Sequence, residues 1–305
     1  MLRTPVRRSE WLSGAHRGDV WLKLEIVQPT SSYKIRGAFN AALRITESPA
    51  GDVRLVTASA GNHGRALAHA ARELGLPLTV FIAEDAPRAK ADAIRAAGAE
   101  LRPRRDYDEA ERDAKTFASG SGGLFISPYS HPDVIAGAGT IGLELLEDLG
   151  GVDAVIVPVG GGGLISGIGI ALKALSPTTE VIGVEVAASC PFTRSLAAGR
   201  LVTIDVGPSL ADGLTGNLDP DTITFDIVRR VVDRIVVVEE PDVRAALAGV
   251  VGHEHLVVEG AAAAGIAALT SRQVDVTGRR VAVILTGANI DVERLVRVLD
   301  VRSGS

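Results

Sequence analysis

The chain has 305 residues, 46% of them apolar and 23% charged, with a formal net charge of −5. That length accommodates one or two domains with a substantial core, and an acidic chain without a long basic run is not expected to bind nucleic acid. A single cysteine, Cys190, rules out an internal disulfide. With no apolar stretch long enough for a bilayer and no apolar core of a signal peptide at the start, a soluble cytoplasmic protein is expected.

In chain order, strands are predicted at 20–25, 54–57, 78–82, 154–159, 181–186, 235–238 and 281–285, where short β-branched runs occur. Helical periodicity marks 37–46, 62–74, 88–97, 106–118, 132–149, 164–175, 221–232, 241–252, 255–271 and 292–299. Continuous apolar strands alternating with helices predict an α/β fold with open parallel-type twisted sheets flanked by helices. Asp106 is placed to cap a helix, and Pro132 and Pro241 suit a first helical turn.

The first unusual segment is Ser31-Ser-Tyr-Lys34-Ile-Arg-Gly37, which sets a lysine at the head of a helix. Such a lysine is ordinarily a solvated charge; its special use is to hold a carbonyl cofactor as a Schiff base. After the strand at 54–57 comes Thr57-Ala-Ser-Ala-Gly-Asn-His-Gly64. This turn offers hydroxyl, amide and main-chain N–H groups at a helix start, suited to a carboxylate or a ring oxygen. Ser59 and Asn62 also read as plain caps, and His63 alone reads as a structural hydrogen bonder.

The strongest local signal is the strand 154–159 running into Gly160-Gly161-Gly162-Gly163 and straight into a helix. Four glycines let main-chain N–H groups close on an anion at a helix N-terminus. Gly161, Gly163 and Ser166, with Glu185 at the end of the next strand, also approach a dinucleotide fingerprint, and a dinucleotide-dependent oxidoreductase remains a rival. Asp212 and Glu259 lie beside glycines, as turn formers do. His253 and His255 lack metal-site spacing, and no metal is expected. Thr286-Gly-Ala-Asn289 puts a hydroxyl at the C-terminal end of the last strand, where ligands bind in open sheets.

Taken together, Ser32-Tyr-Lys-Ile-Arg-Gly-Ala38, Ser59-Ala-Gly-Asn-His63 and Gly160-Gly-Gly-Gly-Leu164 resemble the fold-type II pyridoxal-phosphate enzymes, in the threonine/serine dehydratase and serine racemase branch. The resemblance runs from Thr4 to Asn289. It implies a tryptophan synthase β-like arrangement, with a large domain of residues 1–43 and 133–305, a small inserted domain of 44–132, and an active site in the cleft between them. It implies that Lys34 carries pyridoxal 5'-phosphate, that Gly160, Gly161, Gly162 and Gly163 hold its phosphate, that Asn62 meets its ring hydroxyl and that Thr286 faces its pyridine nitrogen. Ser59, Ala60, Gly61, Asn62 and His63 would receive the amino-acid substrate, and Asp212 would line its pocket.

The implied activity is β-elimination from L-threonine and/or L-serine to a 2-oxo acid and ammonia, in a homodimer. Serine racemase and 3-hydroxyaspartate or phenylserine dehydratase are the alternatives within the family. Racemases of this branch carry a second serine where this chain has Ala60, which disfavours racemisation. Metal-dependent members carry a Glu-x-x-x-small-x-Asp run; here Glu185 and Ser189 fit but Pro191 replaces the aspartate. The short segment after Thr286 leaves no room for an appended regulatory domain, so control by a distal amino acid is not expected.

Overall fold

The structure is a computed structural model that describes residues 1–47, 53–86 and 88–300. The chain opens with β1 (Val6–Arg8), α1 (Glu10–His16), β2 (Asp19–Leu24) and α2 (Lys34–Thr46). Next come β3 (Leu55–Ala58), α3 (Asn62–Leu74), β4 (Leu78–Ala83), α4 (Arg88–Ala96), β5 (Glu100–Arg104), α5 (Tyr107–Ser121) and β6 (Leu124–Phe125). Then follow α6 (Pro132–Leu149), β7 (Ala154–Pro158), α7 (Gly163–Leu175), β8 (Glu180–Val186) and α8 (Pro191–Ala198). The remainder is α9 (Thr224–Val231), β9 (Arg234–Val238), α10 (Glu240–Gly249), α11 (Gly260–Thr270), β10 (Arg280–Leu285) and α12 (Val292–Asp300).

These elements form two compact units, one of Gln28–Ala138 and one of Leu2–Val27 with the chain from Gly139 on. In the first unit the parallel sheet has the order β5-β4-β3-β6. Alternation along its strands serves two cores. Leu55, Leu78 and Val80 join Ile35, Ala38, Leu67, Ala70 and Ile94 on the α2–α3–α4 side. Val56, Ala58 and Phe81 pack on Ala110, Ala114 and Ala118 of α5. The division at Gln28 rather than at residue 44 reflects α2, whose Ile35, Ala38, Ala41 and Ala42 are buried with α3.

In the second unit the six-stranded sheet has the order β1-β2-β10-β7-β8-β9, parallel except for β1. The closure is long-range, with Asp19 opposite Arg280 and Leu24 opposite Leu285. α11 reads GAAAAGIAALT and is buried from Gly260 to Leu269, so it has no polar face. It packs in one core with Ile156, Ile182, Val184, Val283 and Leu285 of the sheet.

Asp106 caps α5 as expected, its side chain accepting from Glu109 N–H. The helix predicted from 255 begins only at Gly260. Val250–Glu254 form a π-helical turn instead, and His255 ends it at φ 55. That left-handed backbone ends a helix, and apolar periodicity does not register it. β1, α1, β5, β6 and α8 were not predicted. β1 and β6 are two or three residues long, and β5 carries charged side chains at a sheet edge. Among the described residues no helix is long and apolar enough to cross a membrane.

Candidate active site

In the first unit, Lys34 is the first residue of α2 and is half-buried. Its Nζ donates to the Pro128 carbonyl at 2.7 Å and stands 5.2 Å from the centre of the Tyr33 ring. The Ser59–His63 turn joins β3 to α3, so its residues lie at the C-terminal end of a parallel strand and the N-terminal end of a helix. Ser59 Oγ accepts from Gly61 N–H at 3.2 Å, and Asn62 opens α3. A Cβ on Gly64 would lie 2.0 Å from the Ser59 carbonyl oxygen, so α3 reaches this close to the turn only because residue 64 is glycine.

His63 Nε2 is 3.2 Å from the Ile126 carbonyl, which also accepts from Thr57 Oγ1 at 2.8 Å. A carbonyl only accepts, so Nε2 carries the hydrogen and Nδ1 is left as an acceptor, buried and unpaired among the described residues. Burial, then the nearby Lys34 charge, lower the His63 pKa to about 3. The ring is therefore neutral and has no hydrogen to spare for a carboxylate. Any anion contact at position 63 falls to its main-chain N–H. Lys34 and His63 are both bonded to the segment 126–128, which no spacing in the sequence indicates.

In the second unit, the four glycines connect β7 to α7, as predicted. Gly162 holds φ 84, and a Cβ there would lie 2.5 Å from Phe192 Cζ. Thr224 Oγ1 donates to the Gly161 carbonyl at 2.8 Å. A Cβ on Gly160 would lie 3.1 Å from Leu214 Cα, and one on Gly213 would lie 3.3 Å from Ala261 Cβ in the first turn of α11. Next to Ala261, Glu259 donates its N–H to the Gly287 carbonyl at 3.0 Å and lays its carboxylate over that glycine. This chain of contacts carries Gly160 to Thr286, whose Oγ1 is buried without a hydrogen-bond partner among the described residues.

Sequence reasoning missed Phe192 and Thr224. They are distant in sequence from the glycine they press on, and neither sits in a motif. Glu185, read as a ribose-binding acid in the dinucleotide alternative, does something else. One oxygen accepts from Phe192 N–H at 2.8 Å; the other accepts from Thr193 N–H at 2.8 Å and Thr193 Oγ1 at 2.6 Å. It thus caps α8 and holds Phe192 against Gly162, and burial raises its pKa despite those bonds. The ribose reading is corrected: this carboxylate is committed to α8. Ser189, beside it, exchanges hydrogen bonds with Gly216. Asp212 opens a 3-10 turn, with its carboxylate 3.0 Å from Arg294 Nη1.

Residues 1–287 match the family model described as "Pyridoxal-phosphate dependent enzyme". An L-threonine ammonia-lyase of Thermotoga maritima is 39% identical over 306 residues, covering 99% of this chain and 76% of that protein. Threonine deaminase isoform 2 of Solanum lycopersicum, in its processed form, superposes with a TM-score of 0.91 at 30% identity, over 100% of this chain and 89% of that one. Maize serine racemase gives a TM-score of 0.89 at 30% identity, over 99% and 93%.

Each unit carries groups that fit pyridoxal phosphate. The first supplies an amine in Lys34; in the second, the start of α7 presents main-chain N–H groups in a cradle that side chains at Gly160 and Gly162 would fill, and Thr286 supplies an orphan hydroxyl. With motif order, whole-chain match and donor set in agreement, the chain belongs to the pyridoxal-phosphate dependent enzyme family.

Proposed function

We propose that this enzyme removes water from β-hydroxy amino acids, L-threonine and/or L-serine, and releases a 2-oxo acid and ammonia. The observation that carries the reading is the Ser59–His63 turn with Ala60 within it, in the same unit as Lys34. One amine can take a proton, and position 60 offers none from its side chain. Relatives named as threonine ammonia-lyases or dehydratases at 38–41% identity support the choice of reaction.

In this reading Lys34 would anchor the cofactor, the N–H groups at the start of α7 would hold its phosphate and Thr286 Oγ1 would meet its ring nitrogen. When bound, the cofactor supplies the electron sink for breaking a bond at Cα. The N–H groups at the start of α3 orient the substrate carboxylate. Lys34 Nζ, held in place by the Pro128 carbonyl, takes the α-proton as general base. The β-hydroxyl leaves with a proton as water, and the released enamine tautomerises and hydrolyses to oxo acid and ammonia. Thr286, a hydroxyl rather than a carboxylate, would offer the ring nitrogen no anionic partner, a setting that suits prompt elimination. The same reading, through the family resemblance, makes the enzyme a cytoplasmic homodimer.

Keto-acid production is the test, with L-threonine, L-serine, 3-hydroxyaspartate and phenylserine offered to the cofactor-loaded protein. The expected result is turnover of threonine or serine that Lys34→Ala abolishes. Full cofactor occupancy with no keto acid from any of the four would sink the proposal.

A further inference from the structure

Apart from the residues assigned above, the second unit carries a cavity of about 390 Å³ with three guanidinium groups in its wall. Arg244 comes from α10, and Arg294 and Arg297 come from α12; Ser209 and Glu240 add polar lining beside the buried Val298. The volume is that of a small-molecule site. Glu240 is already committed, accepting from Ser209 Oγ at 2.7 Å and from Leu210 N–H at 2.8 Å. Arg294 divides its donors between Asp212 at 3.0 Å and the Ser209 carbonyl at 2.6 Å. Arg297 stands 4.0 Å from Glu293, with both side chains mostly exposed, a pairing that contributes little. Arg244 has no hydrogen-bond or ion-pair partner among the described residues. Guanidinium forks with unused donors, gathered round one cavity, suit an anion with several oxygens.

The wall is continuous with the glycine cradle. Residues 209–214 are held by Glu240 and Arg294 on the cavity side. On the other side, the Leu210 carbonyl oxygen lies 2.2 Å from where a Cβ of Gly260 would be, and Leu214 Cα lies 3.1 Å from that of Gly160. One strap therefore touches both the cavity and the phosphate loop.

We propose that this cavity is a second, regulatory site for a small anion carrying at least two negative charges, a phosphate monoester or a dicarboxylate. Its occupant draws Arg294 from Asp212, loosens the 209–214 strap against Gly160 and weakens the hold on the cofactor. This rests on the reading that the glycine loop holds the cofactor phosphate.

Calorimetric titration of the cofactor-loaded full chain with inorganic phosphate and with succinate, at fixed ionic strength, tests the site; the stronger ligand identifies the source. The expected result is saturable binding of one of them, weakened about tenfold or more in R244A/R297A, since each charge-assisted hydrogen bond lost is worth more than a neutral one. R244K, which keeps charge but not the fork, should fall between. Cofactor retention, followed by ultrafiltration, should drop severalfold with saturating anion in the wild type and stay constant in R244A/R297A, and the cofactor should weaken the anion by the same factor. No binding of either anion, or equal binding by the double variant, overturns the site. Binding that leaves cofactor retention unchanged overturns the regulatory role. If the glycine-loop reading is what fails, Gly162→Ala will retain cofactor as well as the wild type while anion binding persists.

Discussion

Replacing His63 with glutamine should remove a large part of the acid sensitivity of the first unit between pH 7.5 and 5, with His69 and His131, whose pKa values burial also lowers, supplying the rest. In the folded chain the imidazole is held neutral, with a pKa of about 3 against an ordinary 6.5. When the folded pKa is depressed, the unfolded chain binds more protons throughout the interval between the two values. Stability from neutral His63 is thus fully present above 6.5 and is lost as pH falls toward 3. At 1.36 kcal/mol per unit, the loss is about 2 kcal/mol by pH 5 and about 4 kcal/mol by pH 3, where the folded ring is half protonated. Most carboxylates are still ionised at pH 5, which makes 7.5 to 5 the clean window. Glutamine keeps an N–H for the Ile126 carbonyl but cannot take up a proton. All three tyrosines, Tyr33, Tyr107 and Tyr129, lie in the first unit, while Trp11 and Trp21 lie in the second. Urea unfolding followed through tyrosine signals therefore reports the relevant unit. The reasoning is refuted if His63→Gln loses as much stability between the two pH values as the wild type does.

Other changes probe the second unit and the reaction. Gly162→Ala combines a left-handed backbone, worth about 1–2 kcal/mol, with a clash on Phe192, worth about 1–3 kcal/mol. Adding Phe192→Leu should relieve only the second part, and a double-mutant cycle on the urea midpoint would show it. Glu185→Ala strands the donors at Phe192 and Thr193 and should cost about 2–4 kcal/mol and weaken cofactor binding; unchanged retention would mean that Phe192 does not brace the loop. Ala60→Ser returns a hydroxyl to the turn, and chiral chromatography should then detect D-serine forming above the wild-type level; none would remove Ala60 as the reason for one-sided chemistry.

The parts of the site written in contiguous residues were legible. The four glycines had to form a strand-to-helix loop because a buried β-branched run precedes them and a periodic apolar run follows. Ser59–His63 was legible for the same reason, sitting between β3 and α3. What could not be read were contacts made by distant segments. Glu185 looked like a ligand-binding acid because it ends a strand. Its partners are N–H groups that become available only when the short α8 forms after Pro191. His63 read as a structural hydrogen bonder, but its partner, the Ile126 carbonyl far along the chain, and hence its tautomer, could not be read. Periodicity likewise carried α11 too far back, since a π-turn and one left-handed residue leave no trace in apolar spacing.

The pairing of β2 with β10 has a consequence for how the protein is made. Residues 19–24 emerge early with only the three-residue β1 to pair on one edge, and their other edge finds its partner only at 280–285, so the six-stranded sheet must wait for more than 250 further residues. The strands of 28–138 pair only among themselves, so that unit can collapse while synthesis continues. Until β10 arrives, β2 is a strand with an open edge, and α11 an alanine-rich helix whose core still lacks Val283 and Leu285. The interval in which this protein is most exposed to aggregation is therefore the stretch of translation that precedes β10.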